Sequence, residues 1–371
     1  MKTTLFIGWG DLAKKYYLPY LRKFFSPSAA PEHVGYVAEE PTVAQSVRSL
    51  CVYPWGAREL DNAITQGAFD HFFVLTPPRL HMKQLKAILR LIPTGKETWI
   101  FIEKPLGSPI DDVRETVKLV KQHCPTRMDR IRCIDHYTQK WSVDCFQKNI
   151  TYQTGWSFAP IGELQKIVFA SFEKQDMWSS EAFAGGYARE HAPHAIAMIR
   201  RLAPVFSDPH TKIDVATGTP VGSWRYRGCS PTCPSESSFL LRFEVTNPKW
   251  AGAIPLVVCG GKGLKRDVKK LLVRGDKASF VAHFNDDRAF VVEGLARTEL
   301  DTPPDRPAAY EKIMSGIFGP NPNPSGVTIS VDDALVALEC IEDAVATLGK
   351  PPEHEKNTTP EELAEIERRI P

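Results

Sequence analysis

The chain has 371 residues, of which 43% are hydrophobic and 24% are charged, and its formal net charge is +2 at pH 7. This length suits two domains of ordinary size, and the composition is typical of a globular, water-soluble protein. The small net charge gives no electrostatic reason to expect a nucleic acid or a membrane surface as partner. No apolar run approaches the roughly 20 residues of a membrane helix, and Gly8, Gly10 and Asp11 end the first run too early for a signal peptide.

The eight cysteines lie mostly inside apolar segments, which is typical of buried thiols in a reducing compartment, and we expect the cytoplasm. Cys229 and Cys233 form the one close pair. Because no second pair and no nearby histidines complete a four-ligand set, no metal site is predicted.

Short apolar runs alternate with amphipathic stretches over the first 135 residues. The predicted strands are Leu5–Gly8, Val34–Val37, Phe72–Leu75, Trp99–Ile102 and Ile131–Ile134. Helical periodicity is found in Arg79–Ile92 and Ile110–His123. Strand–helix repetition of this kind predicts an α/β domain over residues 1–135, with a doubly wound parallel sheet covered on both faces.

From about Glu163 onward the apolar runs are longer and separated by turns, which predicts an α+β domain with a large, mostly antiparallel open sheet over residues 136–350. The runs are Leu164–Phe172, Ser238–Val245, Ala253–Cys259, Leu271–His283 and Ala289–Leu295. Helices are expected at Ala188–Leu202, Ala308–Phe318 and Asp332–Leu348, and residues 351–371 are expected to form a tail with a short helix. Since a one-sided sheet must cover its other face, we expect a homodimer or homotetramer through it.

A glycine-rich turn follows the first predicted strand and opens a helix; its key residues are Gly8, Gly10, Asp11, Leu12 and Ala13. Gly8 would permit a tight turn, Gly10 would let backbone N–H groups approach a pyrophosphate, and Ala13 would let helix and strand pack closely. The alternative is an ordinary strand-to-helix turn. The position after a strand and before a helix favours a dinucleotide-binding Rossmann domain.

The second predicted strand is followed by Glu39 and Glu40. A carboxylate at this place accepts hydrogen bonds from ribose hydroxyls and would repel a 2′-phosphate, so NAD is expected rather than NADP. Two glutamates at a strand end are also ordinary surface residues.

Further segments follow in order: Thr76-Pro77-Pro78 with His81, Phe101–Gly107 with Glu103-Lys104-Pro105 at its centre, Asp135-His136-Tyr137 with Lys140, Ala184-Gly185-Gly186 with Glu190 and His194, and Ala309–Lys312 with Phe318. The first, second and fourth resemble the glucose–fructose oxidoreductase and inositol dehydrogenase family. The second, third and fifth are similar to glucose-6-phosphate dehydrogenases. The resemblance runs from Met1 to about Leu348 and is loose between the motifs.

The resemblance implies that Thr76, Pro77 and His81 pass beside the nicotinamide, and that Glu103 and Lys104 belong to the cofactor site. Lys104 leaves the carboxyl end of a strand, where ligands of such folds bind, and there it can reach the reacting hydroxyl. The alternative for Lys104 is an ordinary surface lysine.

The resemblance also implies that Asp135 orients a histidine, and that His136, Tyr137 and Lys140 hold a substrate phosphate. Asp135 alternatively caps the helix that begins near Tyr137. His194 is the expected general base, because imidazole titrates near neutral pH.

Glu190 lies one helical turn before His194, and His191 is a nearby competitor for the role of base. Both are expected at the substrate. Pro193 is expected to kink this helix or to confine it to its first turns.

These features predict an NAD(P)-dependent dehydrogenase that transfers a hydride between the cofactor and a hydroxyl-bearing carbon of a sugar or sugar phosphate. Two alternatives stay open: a keto-sugar reductase in a biosynthetic pathway, which uses the same residues in reverse, and a sensor or scaffold that binds a dinucleotide without chemistry. Turnover on any sugar would separate the enzymes from the sensor.

Overall fold

The computed structural model describes residues 3–8, 10, 12–24, 34–38, 51–54, 57–67, 69–93, 95–173, 187–216, 222–224, 238–262, 267–303 and 305–347. Two compact units divide the chain. The first unit contains residues 1–136 and 309–335, and the second contains residues 137–308 and 336–371. The predicted division into 1–135, 136–350 and 351–371 differs from this one chiefly because a late segment returns to the first unit.

The first unit is built on a parallel sheet whose described strands run in the order β3-β2-β1-β4-β5-β6. The strands are Thr4–Ile7 (β1), Val34–Ala38 (β2), Cys51–Pro54 (β3), His71–Val74 (β4), Trp99–Glu103 (β5) and Ile131–Ile134 (β6). The helices are Leu18–Phe24 (α1), Ala57–Gly67 (α2), Pro78–Leu91 (α3) and Ile110–His123 (α4). This strand order is that of the doubly wound dinucleotide-binding fold, so the predicted fold of the N-terminal domain is confirmed.

The second unit contains a sheet whose main path is β10-β12-β13-β9-β14-β15-β16-β17, with β11 beside β12 and the β7–β8 hairpin beside β9. Its strands are Thr151–Thr154 (β7), Ser157–Ala159 (β8), Gly162–Glu173 (β9), Lys212–Val215 (β10), Gly222–Trp224 (β11), Ser238–Thr246 (β12), Ile254–Lys262 (β13), Val268–Gly275 (β14), Ser279–His283 (β15), Arg288–Glu293 (β16) and Ala296–Glu299 (β17). Its helices are Trp141–Asn149 (α5), Tyr187–Leu202 (α6) and Pro204–Ser207 (α7). The described pairings are antiparallel except β13 with β9, which confirms the mostly antiparallel sheet.

The run Leu271–His283 is two strands and not one, so its prediction as a single run was wrong. A turn separates β14 from β15, and in it the Gly275 N–H donates to the Ala278 carbonyl at 2.9 Å. A Cβ atom on Gly275 would lie 2.0 Å from the Ile161 carbonyl oxygen, so only glycine fits this position. The apolar residues on either side of the turn hid it from the pattern.

The late segment completes the first unit with the helices Ala309–Phe318 (α8) and Pro324–Val327 (α9) and the strand Ile329–Ser330 (β18). β18 pairs antiparallel with β6, and the Arg132 guanidinium donates to Thr328 Oγ1 at 3.0 Å. Ile313, Met314 and Ile317 of α8 are buried in the core that covers β1, β4 and β5. Val331–Thr347 (α10) then continues from the first unit into the second.

Helix α6 packs on β12 and β13 of the second unit and is continuous through Pro193 to Leu202. Proline therefore does not confine this helix to its first turns, as the sequence had suggested. Ala195, Ile196 and Ile199, which follow the proline, are fully buried in the core of this unit. Their burial offsets the hydrogen bond that the proline removes. Within the described residues, no helix is long and apolar enough to cross a membrane.

The start of α5 is capped by Asp287, which comes from the loop between β15 and β16. Its carboxylate accepts hydrogen bonds from the backbone N–H groups of Trp141 and Ser142, both at 3.0 Å, and from the Ser142 hydroxyl at 2.9 Å. Asp287 has a φ of +53°, a left-handed conformation that aspartate adopts more readily than alanine. This loop therefore fixes the segment that leads from Tyr137 into α5.

We predict that Asp287→Ala lowers the free energy of unfolding by about 2 kcal/mol, because the cap is lost and alanine is disfavoured at positive φ. Urea unfolding, followed by circular dichroism, measures the change. Asp286→Ala is the matched control, since the Asp286 carboxylate is half exposed and lies 3.9 Å from Arg288; its effect should stay within about 0.5 kcal/mol. Equal losses in the two variants would contradict the capping role.

Candidate functional site

Four neighbouring strands of the first unit carry predicted site residues directly after their carboxyl ends. In the order β6-β5-β4-β1 the strands lie side by side. Asp135 follows β6, Lys104 follows β5, Thr76 comes two residues after β4, and Gly8 follows β1. Because the strands are parallel, all four positions lie at one edge of the sheet. Ligands of open α/β sheets bind at this edge.

The turn after β1 approaches the loop after β4. Gly8 has a φ of +92°, and a Cβ atom there would lie 2.7 Å from Thr76 Cγ2, so this position requires glycine. Gly10 has open space where its Cβ would be. Leu12 and buried Ala13 begin the helical segment, and the Lys14 N–H donates to the Gly10 carbonyl at 3.1 Å.

These residues fit a dinucleotide. The open space at Gly10 lies where a helix begins, and N–H groups at a helix N-terminus can receive a pyrophosphate. Asp11 and Glu39, two further residues of the predicted cofactor site, lie outside the described residues, as do Cys229 and Cys233.

His81 ties the loops after β4 and β5 together. Its ring is fully buried on α3, with Nε2 2.6 Å from the Thr76 carbonyl oxygen and Nδ1 3.1 Å from the Pro105 carbonyl oxygen. Burial lowers the pKa of His81 to about 4, so the ring is neutral near pH 7. Pro77 is the residue directly before α3, and the Thr76 hydroxyl donates to Gln84 Oε1 at 2.6 Å. These contacts support the loop that the sequence assigns to the cofactor.

Glu103, at the end of β5, is a buried carboxylate held by two phenols. Its Oε1 accepts hydrogen bonds from Tyr17 at 2.6 Å and from Tyr310 at 3.0 Å, and its Oε2 accepts one from the Lys104 backbone N–H at 3.2 Å. Burial raises the pKa of Glu103 to about 7, and the two phenols and Lys104 offset part of that rise. Asp135 raises the same pKa, because its negative charge lies nearby.

His136 is the last residue of the first unit, and its ring stacks on Tyr310 with centroids 5.2 Å apart. Glu103, Tyr310 and His136 therefore form a connected group beside Lys104. The sequence did not predict that Tyr17 and Tyr310 hold Glu103, although Tyr310 belongs to one of the segments that carry the resemblance.

In the second unit, the apolar face of the sheet ends in a polar group. Ser171 and Glu173 follow Phe169 on the core-facing side of β9, and Lys269 lies opposite Ser171 on β14. The Lys269 ammonium lies 2.6 Å from Glu173 Oε1. Sequence reasoning missed Ser171, Glu173 and Lys269. The available signal was the two-residue period of a strand, which places Lys269 on the same face as buried Leu271.

His191 of α6 joins this polar group. Its Nδ1 lies 3.1 Å from the Ser171 hydroxyl oxygen, and its Nε2 lies 3.7 Å from Glu173 and 3.6 Å from Glu190. The ring of His194, one turn further along α6, is 5.9 Å from the ring of His191. Both rings are buried, so the two histidines share one face more closely than the sequence suggested.

Tyr137 packs directly on His194, with ring centroids 4.3 Å apart. Its ring centre also lies 5.9 Å from the Lys269 ammonium. Burial disfavours the charge of Lys269, but the Tyr137 hydroxyl and the Glu173 carboxylate outweigh burial and raise the pKa of Lys269. The group therefore keeps a charged lysine beside a buried tyrosine and a buried histidine.

Lys140 donates a hydrogen bond to the Phe284 carbonyl at 3.1 Å. Burial, together with the charges of Lys269 and Arg306, lowers the pKa of Lys140 despite the opposing carboxylate of Asp287. Of the residues predicted to bind substrate, Tyr137, Lys140, Glu190 and His191 thus lie in the second unit with His194, and His136 lies in the first unit with Lys104 and Asp135.

Comparison with known proteins agrees with the observed fold and with a dinucleotide-binding turn after β1. Residues 2–126 match an oxidoreductase family with an NAD-binding Rossmann fold. The match lies within the first unit, which therefore has an NAD(P)-binding Rossmann fold. No curated protein sequence matches the chain significantly.

Solved structures share the fold over nearly the whole chain at low sequence identity. Biliverdin reductase from Synechocystis sp. PCC 6803, in complex with biliverdin and NADP+, has 12% identity and a TM-score of 0.65, over 94% of this chain and 99% of that one. Levoglucosan dehydrogenase, in complex with NADH and L-sorbose, has 15% identity and a TM-score of 0.63, over 94% and 97%. Glucose-6-phosphate 1-dehydrogenase from Mycobacterium avium has 14% identity and a TM-score of 0.66, over 96% and 94%. At these identities the likeness establishes the common fold alone.

We predict that Gly8→Ala and Gly10→Ala separate the structural from the binding role of the turn. Gly8→Ala should cost roughly 1–3 kcal/mol of stability, because its Cβ meets Thr76 and its φ is positive. Gly10→Ala should change stability by less than about 0.5 kcal/mol yet weaken NADH binding roughly tenfold, since the methyl group occupies the space of the pyrophosphate. Urea unfolding and calorimetric titration with NADH measure the two effects. Unchanged NADH affinity in Gly10→Ala would exclude this turn from the cofactor site.

Proposed function

We propose that the protein is a dehydrogenase that oxidises a hydroxyl-bearing carbon of a sugar, with Lys104, Asp135 and His194 as its catalytic residues. The observation that carries the proposal is the row of strand ends bearing Gly8, Thr76, Lys104 and Asp135 on a Rossmann sheet. The bound nicotinamide would accept the hydride from the substrate carbon, or return it in the opposite direction.

His194 is the proposed general base. Loss of hydride from a carbinol carbon requires that the hydroxyl proton leave as well, and an imidazole suits that task near neutral pH. The His194 ring is fully buried against Tyr137 and near His191, and these contacts limit its orientations. A fixed ring is what proton transfer requires, because the base must stay within hydrogen-bond reach of the hydroxyl.

Lys104 and Asp135 complete the proposed set. The backbone of Lys104 is fixed by hydrogen bonds from its N–H to Glu103 and to the Ile134 carbonyl, both at 3.2 Å. Its ammonium would hold the substrate oxygen as charge develops there. Asp135 would orient the base and stabilise its protonated form, as a buried carboxylate does for a histidine.

More specifically, the proposed substrate is a sugar phosphate. Burial and the nearby charge of Lys269 disfavour the charged form of Lys140, and a bound phosphate would stabilise that ammonium. His136, Tyr137 and Lys140 are the proposed phosphate ligands. A lower KM for glucose 6-phosphate than for glucose, abolished in Lys140→Met, would support this form. Equal KM values for the two sugars would exclude it.

The preference for NAD over NADP rests on Glu39 in the sequence, and comparison of the two cofactors in Glu39→Ala tests it. The cytoplasmic location and the homodimer or homotetramer through the second-unit sheet stay predictions. Light scattering decides the oligomeric state.

We predict that His194→Ala lowers kcat by about 10²–10⁴-fold while NADH affinity changes little, because His194 lies outside the dinucleotide-binding unit. Lys104→Met should lower kcat comparably. Their combination should lose less than the product of the two, since both act in one step. The assay follows the absorbance of the reduced nicotinamide with a panel of sugars and sugar phosphates.

His210→Ala is the control, since His210 lies on the exposed surface of the second unit; it should leave kcat unchanged. Full turnover in His194→Ala would sink the assignment of the base. NADH binding without turnover of the wild-type protein on any sugar would favour a dinucleotide sensor instead.

A further inference from the structure

Tyr310 connects the buried carboxylate of Glu103 to the imidazole of His136. The Tyr310 side chain is buried, and its hydroxyl oxygen lies 3.0 Å from Glu103 Oε1 and 3.5 Å from His136 Nδ1. Its ring stacks on His136, with centroids 5.2 Å apart and planes 20° apart, and on Tyr16, with centroids 5.1 Å apart and planes 23° apart. All of these residues belong to the first unit.

The direction of each hydrogen bond follows from the chemistry of the groups. Above the pKa of about 7 that burial gives Glu103, its carboxylate is ionised and only accepts, so Tyr17 and Tyr310 each donate their single hydroxyl hydrogen to Glu103 Oε1. The Tyr310 oxygen then has only lone pairs to offer. A hydrogen between Tyr310 and His136 must therefore come from Nδ1 of the imidazole.

We propose that Tyr310 is a positioning residue that holds His136 with Nδ1 protonated. The neutral ring then presents Nε2 as an acceptor for a substrate hydroxyl, and it can donate to a phosphate oxygen, as the sugar-phosphate form of the proposed substrate requires, only when the ring carries a positive charge. This inference rests on the proposed function in one respect, that His136 contacts the substrate. The protonation of Nδ1 itself is independent of any activity.

The contacts with Tyr310 fix the orientation of the His136 ring before a substrate binds. The stack restricts the ring of His136 to one plane, and the hydrogen bond selects one of the two ways in which the ring can lie in that plane. A substrate then meets an oriented acceptor instead of a rotating ring, so less ordering accompanies binding.

The test uses nitrogen-15 NMR of histidine-labelled protein, in which the chemical shifts of Nδ1 and Nε2 report which nitrogen carries the hydrogen. The chain has 10 histidines, and loss of one signal in His136→Gln assigns His136. In wild-type protein above pH 8, we expect Nδ1 protonated and Nε2 unprotonated. The opposite pattern in the wild type would overturn the proposal without any variant.

Tyr310→Phe keeps both ring stacks and removes the hydroxyl, so the His136 pattern should move toward protonation of Nε2 or toward an average of both forms. Tyr17→Phe is the matched control, because it removes the other hydrogen bond to Glu103 Oε1 and leaves Tyr310 in place. It should keep the wild-type pattern. Equal changes in the two variants would mean that Glu103, and not Tyr310, determines the ring.

Kinetics provide the second readout. Tyr310→Phe should raise the KM of the sugar about three- to tenfold, the effect of one lost hydrogen bond, with little change in kcat or in NADH affinity. If no sugar is turned over, the proposed function fails and the NMR result still decides the protonation of His136. A wild-type KM in Tyr310→Phe, with the NMR change present, would remove His136 from the substrate site.

Discussion

The buried carboxylate of Glu103 is the constraint on which the first unit depends. It ends the inner strand β5 and is held by the phenols of Tyr17, after β1, and of Tyr310, on the late helix α8. A carboxylate inside an apolar core is costly unless donors surround it. The same group binds the backbone of Lys104, so the contact that stabilises the core also fixes the start of the proposed catalytic loop. The carboxyl end of β5 therefore carries both the buried Glu103 contact and the proposed catalytic Lys104.

The second unit also places buried charged groups beside proposed catalytic residues, but it does so at the end of an apolar sheet face. Its sheet presents an apolar face along β9 and β14, and this face becomes polar where the last residues of β9 meet the first residues of β14. Glu173 and Lys269 neutralise each other there, and Ser171 contacts His191. Glu173, Lys269 and Ser171 thus each have a polar partner, as burial requires. Beside this polar group, the rings of His194 and Tyr137 pack against each other at the edge of the apolar core.

Much of the fold could be predicted from the sequence, because alternation and helical periodicity are local. The short strand Cys51–Pro54 escaped prediction, since it has four residues and ends in proline, which is uncommon within a sheet. The turn within Leu271–His283 escaped because apolar residues flank it. The motifs singled out Lys104, Asp135 and His194 as candidate catalytic residues, but they gave no sign of the Tyr310 contact to Glu103, which joins residues 207 positions apart. Lys269 was hidden by its neighbour Lys270, since two adjacent lysines suggest a solvated strand.

The pH dependence of the free energy of unfolding tests the central role of Glu103 most directly. Burial raises the pKa of Glu103 from its ordinary 4.5 to about 7, so the folded protein favours the protonated carboxyl. The stability that this group contributes is present below the ordinary pKa and is lost as the pH rises through 7. Urea unfolding of the wild type and of Glu103→Gln, at a series of pH values from 5 to 8, measures it. The wild type should lose on the order of 3 kcal/mol relative to the glutamine variant over this range. A difference that is constant with pH, or that grows in favour of the wild type, would show that Glu103 is not the buried, strained carboxylate on which this account depends.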